Sequence, residues 1–187
     1  MFQWPLRGAL RRVRARVGAA TLACALAGGV VGAAVSQEGV SEAALKAAIV
    51  ANFFLFVEWP DASGGFRLCV AGRGDTADAV LAVQGRMVKG RAIETVRLAA
   101  PDLVPGRHCR ILFIPASAGR RAAEFAQAAA GSPILIVAEG DALSTDEAHV
   151  VLSLDERRPV LSINLTEARR AGLDISSRLL RLARRVS

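Results

Sequence analysis

Residues 109–137 read "CRILFIPASAGRRAAEFAQAAAGSPILIV". Two apolar runs, 109–114 (broken only by Arg110) and 134–137, flank an alanine-rich segment. An apolar run this short, with no polar alternation, reads as a strand covered on both faces, as in parallel sheets. Pro115 closes the first run, and Gly131 ends a helix predicted over 118–131. Strand, helix and strand in this order predict an α/β layer fold with a mostly parallel central sheet and helices on both faces.

The flanking sequence continues the pattern. "FRLCVAG" (66–72) predicts a strand and "GDTADAVLAVQG" (74–85) a short helix. "RAIETVRLA" alternates Ile93, Thr95 and Arg97 against Glu94, Val96 and Leu98, as a strand does. "HVVLSLDERRPVLSINL" splits at 155–158 into two strands, an antiparallel hairpin expected at one edge of the sheet. Upstream, "SEAALKAAIVANFFLFVEWP" predicts a helix over 43–57, capped by Ser41 and stopped by Pro60. Leu45, Ile49, Phe53 and Phe56 share one face of it and Val50, Phe54 and Val57 a second, so both sides should be covered. "TEARRAGLDISSRLLRLARRVS" predicts two closing helices, capped by Thr166 and by Asp174 or Ser176. Length and 52% hydrophobic content suit one domain.

The net charge of +7 is unevenly placed. Residues 1–36 carry Arg7, Arg11, Arg12, Arg14 and Arg16 and no acid; without them 19 basic residues face 17 acidic ones. Those arginines precede the apolar run "VGAATLACALAGGVVGAAV" and then "AVSQE", the form of a signal peptide over 1–36 cut near Ser36, leaving a domain over 37–187. An uncleaved anchor and lipidation at Cys24 are the other readings, and each also puts the domain outside the cytoplasm. The compartment and the near-neutral domain argue against nucleic acid. In an oxidising compartment Cys69 and Cys109 form an even pair. A disulfide and two buried thiols both stay open at this point.

No G-x-S-x-G, G-x-x-x-x-G-K-[ST], H-E-x-x-H or C-x-x-C is present. His108 and His149 lie beside strands and read as surface or edge residues, not as a ligand pair. No catalytic, metal or cofactor residue is expected. "GRGDTA" places Gly72, Gly74 and Asp75 in a βα turn of phosphate-cradling geometry, although Asp75 would repel an anion. With Glu139 and Asp141 at the carboxyl edge of a strand, it forms a candidate ligand edge. The last predicted helix carries Arg178, Arg181 and Arg185 around leucines. It suits packing on the sheet, or contact with anionic lipid or an acidic partner.

Taken together, "NFFLFVEWP", "LCVAG", "GRMVKGRAIETVRL", "CRILFI" and "SINLTEARRAGLDISSRLLRLARRV" resemble the YfiR family of periplasmic regulators over residues 41–186. The resemblance implies a non-catalytic exported domain that restrains an inner-membrane signalling protein. In the namesake that protein is a diguanylate cyclase, held by its periplasmic region, and an outer-membrane lipoprotein sequesters the regulator in turn. Cysteine oxidation is linked to its state, but this chain lacks the further cysteines found after the "ILIV" strand. A small-ligand sensor acting with a receptor or kinase is the alternative. The motif residues Asn52, Phe53, Phe56, Glu58, Trp59, Pro60, Asn164, Ser176 and Ser177 are expected to form a structural clasp. In it, Asn52 and Glu58 bond the following loop or the C-terminal helices. Phe53 and Phe56 then point into the core; a second reading exposes the Phe54 and Val57 face, with the three arginines, as a partner or homodimer surface.

Overall fold

A computed structural model describes residues 41–61 and 63–187; the leader expected over 1–36, Cys24 included, lies outside them. Ser41 caps helix α1 (Glu42–Phe56), its side chain accepting from the Ala44 N–H. The chain runs on through β1 (Val57–Glu58), β2 (Phe66–Ala71), α2 (Asp75–Leu81), β3 (Met87–Val88) and β4 (Arg91–Leu98). Two 3-10 turns lead to β5 (Ile111–Ile114), and a third, Ala116–Arg121, to α3 (Ala122–Ala129). Then come β6 (Leu135–Glu139), the hairpin β7 (Val150–Asp155) and β8 (Arg158–Ile163), α4 (Leu165–Arg170), β9 (Asp174–Ile175), α5 (Ser177–Leu180) and β10 (Arg185–Val186).

The main sheet has the order β10-β8-β7-β6-β5-β2-β4-β3. Its centre, β4-β2-β5-β6-β7, is parallel, as the apolar runs predict. The β7–β8 hairpin is antiparallel and turns through Glu156 and Arg157, both at positive φ, the geometry of a tight primed turn. Two apolar layers cover the sheet. On one face α1, α2 and the C-terminal segment pack on Leu68, Val70, Ile111, Phe113 and Val137. On the other, α3 packs on Cys69, Ala71, Leu112, Ile114 and Ile136.

Four local expectations are corrected. The helix expected over 118–131 begins only at Ala122, because Gly119 (φ 54°, ψ −135°) kinks the preceding 3-10 turn. The helix after β8 is capped by Asn164, whose Oδ1 accepts from the Glu167 N–H at 3.0 Å, and not by Thr166. The closing helix is a single turn. The Arg184 N–H donates to the Leu161 carbonyl and the Ser187 N–H to that of Ile163, so the tail pairs with the edge of β8 instead of coiling on. The hairpin is therefore not the edge of the sheet; β10 lies outside it, and a short antiparallel β3 closes the other side.

Candidate functional site

The two sequence motifs at opposite ends of the domain meet. After Phe56 the backbone extends as β1 and pairs antiparallel with β9, Val57 with Ile175 and Glu58 with Asp174. The Ser176 N–H donates to the Phe56 carbonyl at 2.8 Å, and Ser176 caps α5. Phe53 is buried; Phe54 stacks on Phe66 at 4.6 Å and tilts against Trp59 at 5.6 Å. Trp59 Nε1 donates to the Arg110 carbonyl at 3.1 Å. Asn164 is buried and satisfied twice, its Nδ2 donating to the Thr145 carbonyl at 2.8 Å. Asn52 instead accepts from Arg86, and the Glu58 and Ser177 side chains face solvent. The join to the C-terminal segment is made by backbone pairing, which no side-chain pattern announces.

Phe54 and Val57 are 0% and 1% exposed, so they offer no surface. The exposed apolar ground lies one face away. A groove of about 240 Å³ runs between α1, β8 and α5, lined by Ile49, Phe53, Phe56, Leu161, Leu179 and Leu182. Leu182 is 68% exposed and Val186 44%. The same turn and tail carry Arg178, Arg181 and Arg185, all exposed and, among the described residues, in no ion pair. Arg184, in the same tail, is paired with Asp155 at 2.7 Å. Apolar side chains in a groove, beside fixed positive charge, suit an apolar partner segment with acidic neighbours.

The fold brings the two halves of the expected ligand edge together through Thr76 and Glu139, but not all of the expected residues take part. Gly72 and Gly74 have positive φ and make the β2–α2 turn, but Asp75 and Asp141 point to solvent. Glu139, at the end of β6, is buried. Its Oε1 accepts from Lys46 Nζ at 2.8 Å and Thr76 Oγ1 at 2.9 Å, and its Oε2 from the Ala116 N–H at 3.1 Å. Burial pushes the carboxyl pKa up, but the bonds from Lys46, Ala116 and Thr76 outweigh it and hold the group below its usual range. Burial also works to lower Lys46; its bonds to Glu139 and Glu42 outweigh that and raise it. Sequence reading missed Lys46, 93 residues away and in an ordinary helical stretch.

Cys69 and Cys109 form a disulfide, with Cα atoms 5.7 Å apart. Cys109 lines a groove of about 620 Å³ with Arg67, His108 and Arg110. His108 is exposed as expected, but His149 is buried, its Nδ1 accepting from the Ile136 N–H at 3.0 Å. Among the described residues no cluster of three or more His, Cys, Asp or Glu could hold a metal ion, and no helix is long and apolar enough to cross a membrane.

A family model described as YfiR/HmsC-like matches residues 43–184. Two solved structures share the fold: a conserved domain protein from Vibrio cholerae (TM-score 0.52) and the ABC domain of a Streptococcus pneumoniae protein in complex with L-Trp (TM-score 0.54). Each is 11% identical over 78% of this chain, which spans 60% of each of theirs.

Proposed function

The chain belongs to the YfiR/HmsC-like family, and from that premise we propose that it is a periplasmic, non-catalytic regulator that restrains an inner-membrane diguanylate cyclase by gripping its periplasmic region. The observation that carries this reading is the groove at Leu179 and Leu182 with its three unpaired arginines. An enzyme of this fold would be expected to keep polar chemistry open at the carboxyl edge. Here the open apolar surface lies elsewhere, and the buried carboxylate at that edge is fully bonded. The groove is also where an outer-membrane lipoprotein would compete, and where two copies of the chain would pair.

One observation favours the small-ligand alternative: the Streptococcus domain is described in complex with L-Trp. At the carboxyl edge of this sheet Glu139 is already bonded to Lys46, so a metabolite bound there would have to displace a buried ion pair.

The test is capture from detergent-solubilised inner membranes on the immobilised domain. The expected outcome is a diguanylate cyclase with a periplasmic region, retained less as salt rises and lost with Leu182→Glu. Retention of the same proteins by wild type and Leu182→Glu would overturn the groove as the contact.

A further inference from the structure

Doubly wound sheets hold ligands beyond the carboxyl ends of their strands, where neighbouring strands send the chain to opposite faces. In this sheet that point lies between β2 and β5. The chain leaves β2 for α2 on one face and leaves β5 for α3 on the other. The two departing loops close on each other. Ser117 Oγ donates to the Arg73 carbonyl, and a Cβ added at Gly72 would stand 3.3 Å from Pro115.

Beside this closed crevice three donors converge from separate parts of the chain: Lys46 Nζ from α1, Thr76 Oγ1 from α2 and the Ala116 N–H after β5. One cation, one hydroxyl and one amide, aimed at a single point, make a donor set for a carboxylate. The carboxylate they meet is Glu139, whose two oxygens take all three bonds, and none of the grooves described above is lined by these residues. Lys46 keeps a second, exposed partner in Glu42. Loss of Glu139 would thus leave a cation held in position and not an isolated buried charge.

We propose that Lys46, Thr76 and the Ala116 amide form a carboxylate-binding site at the switch point of the sheet, and that Glu139 is its internal ligand, fixing the domain in the liganded arrangement without any metabolite. On this inference the three donors are closed to outside carboxylates as long as Glu139 is present, whichever protein the domain regulates.

Glu139→Ala removes a methylene and a carboxylate, the heavy-atom skeleton of acetate. The experiment is thermal unfolding of the purified chain in sodium acetate against sodium chloride at equal ionic strength and neutral pH. Glu139→Ala should gain a saturable rise of several degrees in acetate and none in chloride. Wild type should be flat in both, and the double variant Lys46→Met, Glu139→Ala should lose the response. An equal response of wild type and Glu139→Ala, or an undiminished one in the double variant, overturns the proposal. If Glu139→Ala fails to fold in chloride, refolding gives the same reading: recovery in acetate supports the site, and recovery in neither salt overturns it.

Discussion

The indole N–H of Trp59 donates to the carbonyl oxygen of Arg110 at 3.1 Å, one residue beyond the cysteine bridged to Cys69. The same carbonyl accepts from the Leu135 N–H at 2.8 Å, and the Arg110 side chain reaches back to the Asp61 carbonyl at 2.6 Å. The aromatic end of α1 is thereby tied to the start of β5, to β6 and to the bridge. Trp59→Phe keeps the contact with Phe54 and loses the hydrogen bond, so it should cost about 1 kcal/mol. Trp59→Ala also loses the ring and should cost about 3 kcal/mol. Urea unfolding reads both, and equal losses for the two would show that the ring contributes nothing.

The disulfide closes a loop across a sequence separation of 40 residues. On the loop-entropy account it contributes about 4 kcal/mol. Cys69→Ala, Cys109→Ala should lower stability by roughly that amount, or less where the buried alanines repack. Intact mass without reductant should be lower by two hydrogens than with it.

Stability should fall in two separate acid windows. Burial lowers the His149 pKa, outweighing the Glu167 charge and the Ile134 carbonyl that pull it up. Its native value thus lies below the ordinary 6.5. As pH falls through 6.5 the unfolded chain takes up the proton first, so stability drops until the native ring also titrates. Glu139 acts lower. Its native pKa lies below 4.5, so its contribution is whole above that pH and is lost as pH falls through the native value. His149→Gln should remove the first slope and leave the second, as read from unfolding midpoints between pH 8 and pH 3.

Glu156 and Arg157 both sit at positive φ, where neither residue is at ease. Replacing the pair by Asn-Gly, the pair this turn favours, should raise stability by about 1 kcal/mol and leave the groove unchanged, since the turn lies outside it.

The parallel core was legible because β5 and β6 are apolar without alternation, which only strands covered on both faces need be. The hairpin was legible from its polar turn. The pairing of β1 with β9 was not, because it depends on backbone bonds between segments more than a hundred residues apart. Phe54 and Val57 could be recognised as one stripe of a helix, but a stripe does not say which side meets the sheet. The continuation of α5 expected from the leucine and arginine spacing was not legible as β10, because its pairing with the edge of β8 is made by backbone bonds. Glu139 was noticed for its place at the carboxyl edge, while its partner Lys46 carried no local signal.

The central claim is tested most directly by cyclic-di-GMP in living cells. Deleting the gene should raise it, and wild type supplied in trans should restore it. The variant Arg178→Glu, Arg181→Glu, Arg185→Glu should fail to restore it, although exported to the same level with an unchanged unfolding midpoint. Unchanged cyclic-di-GMP on deletion, or full restoration by the charge-reversed variant, would contradict the account.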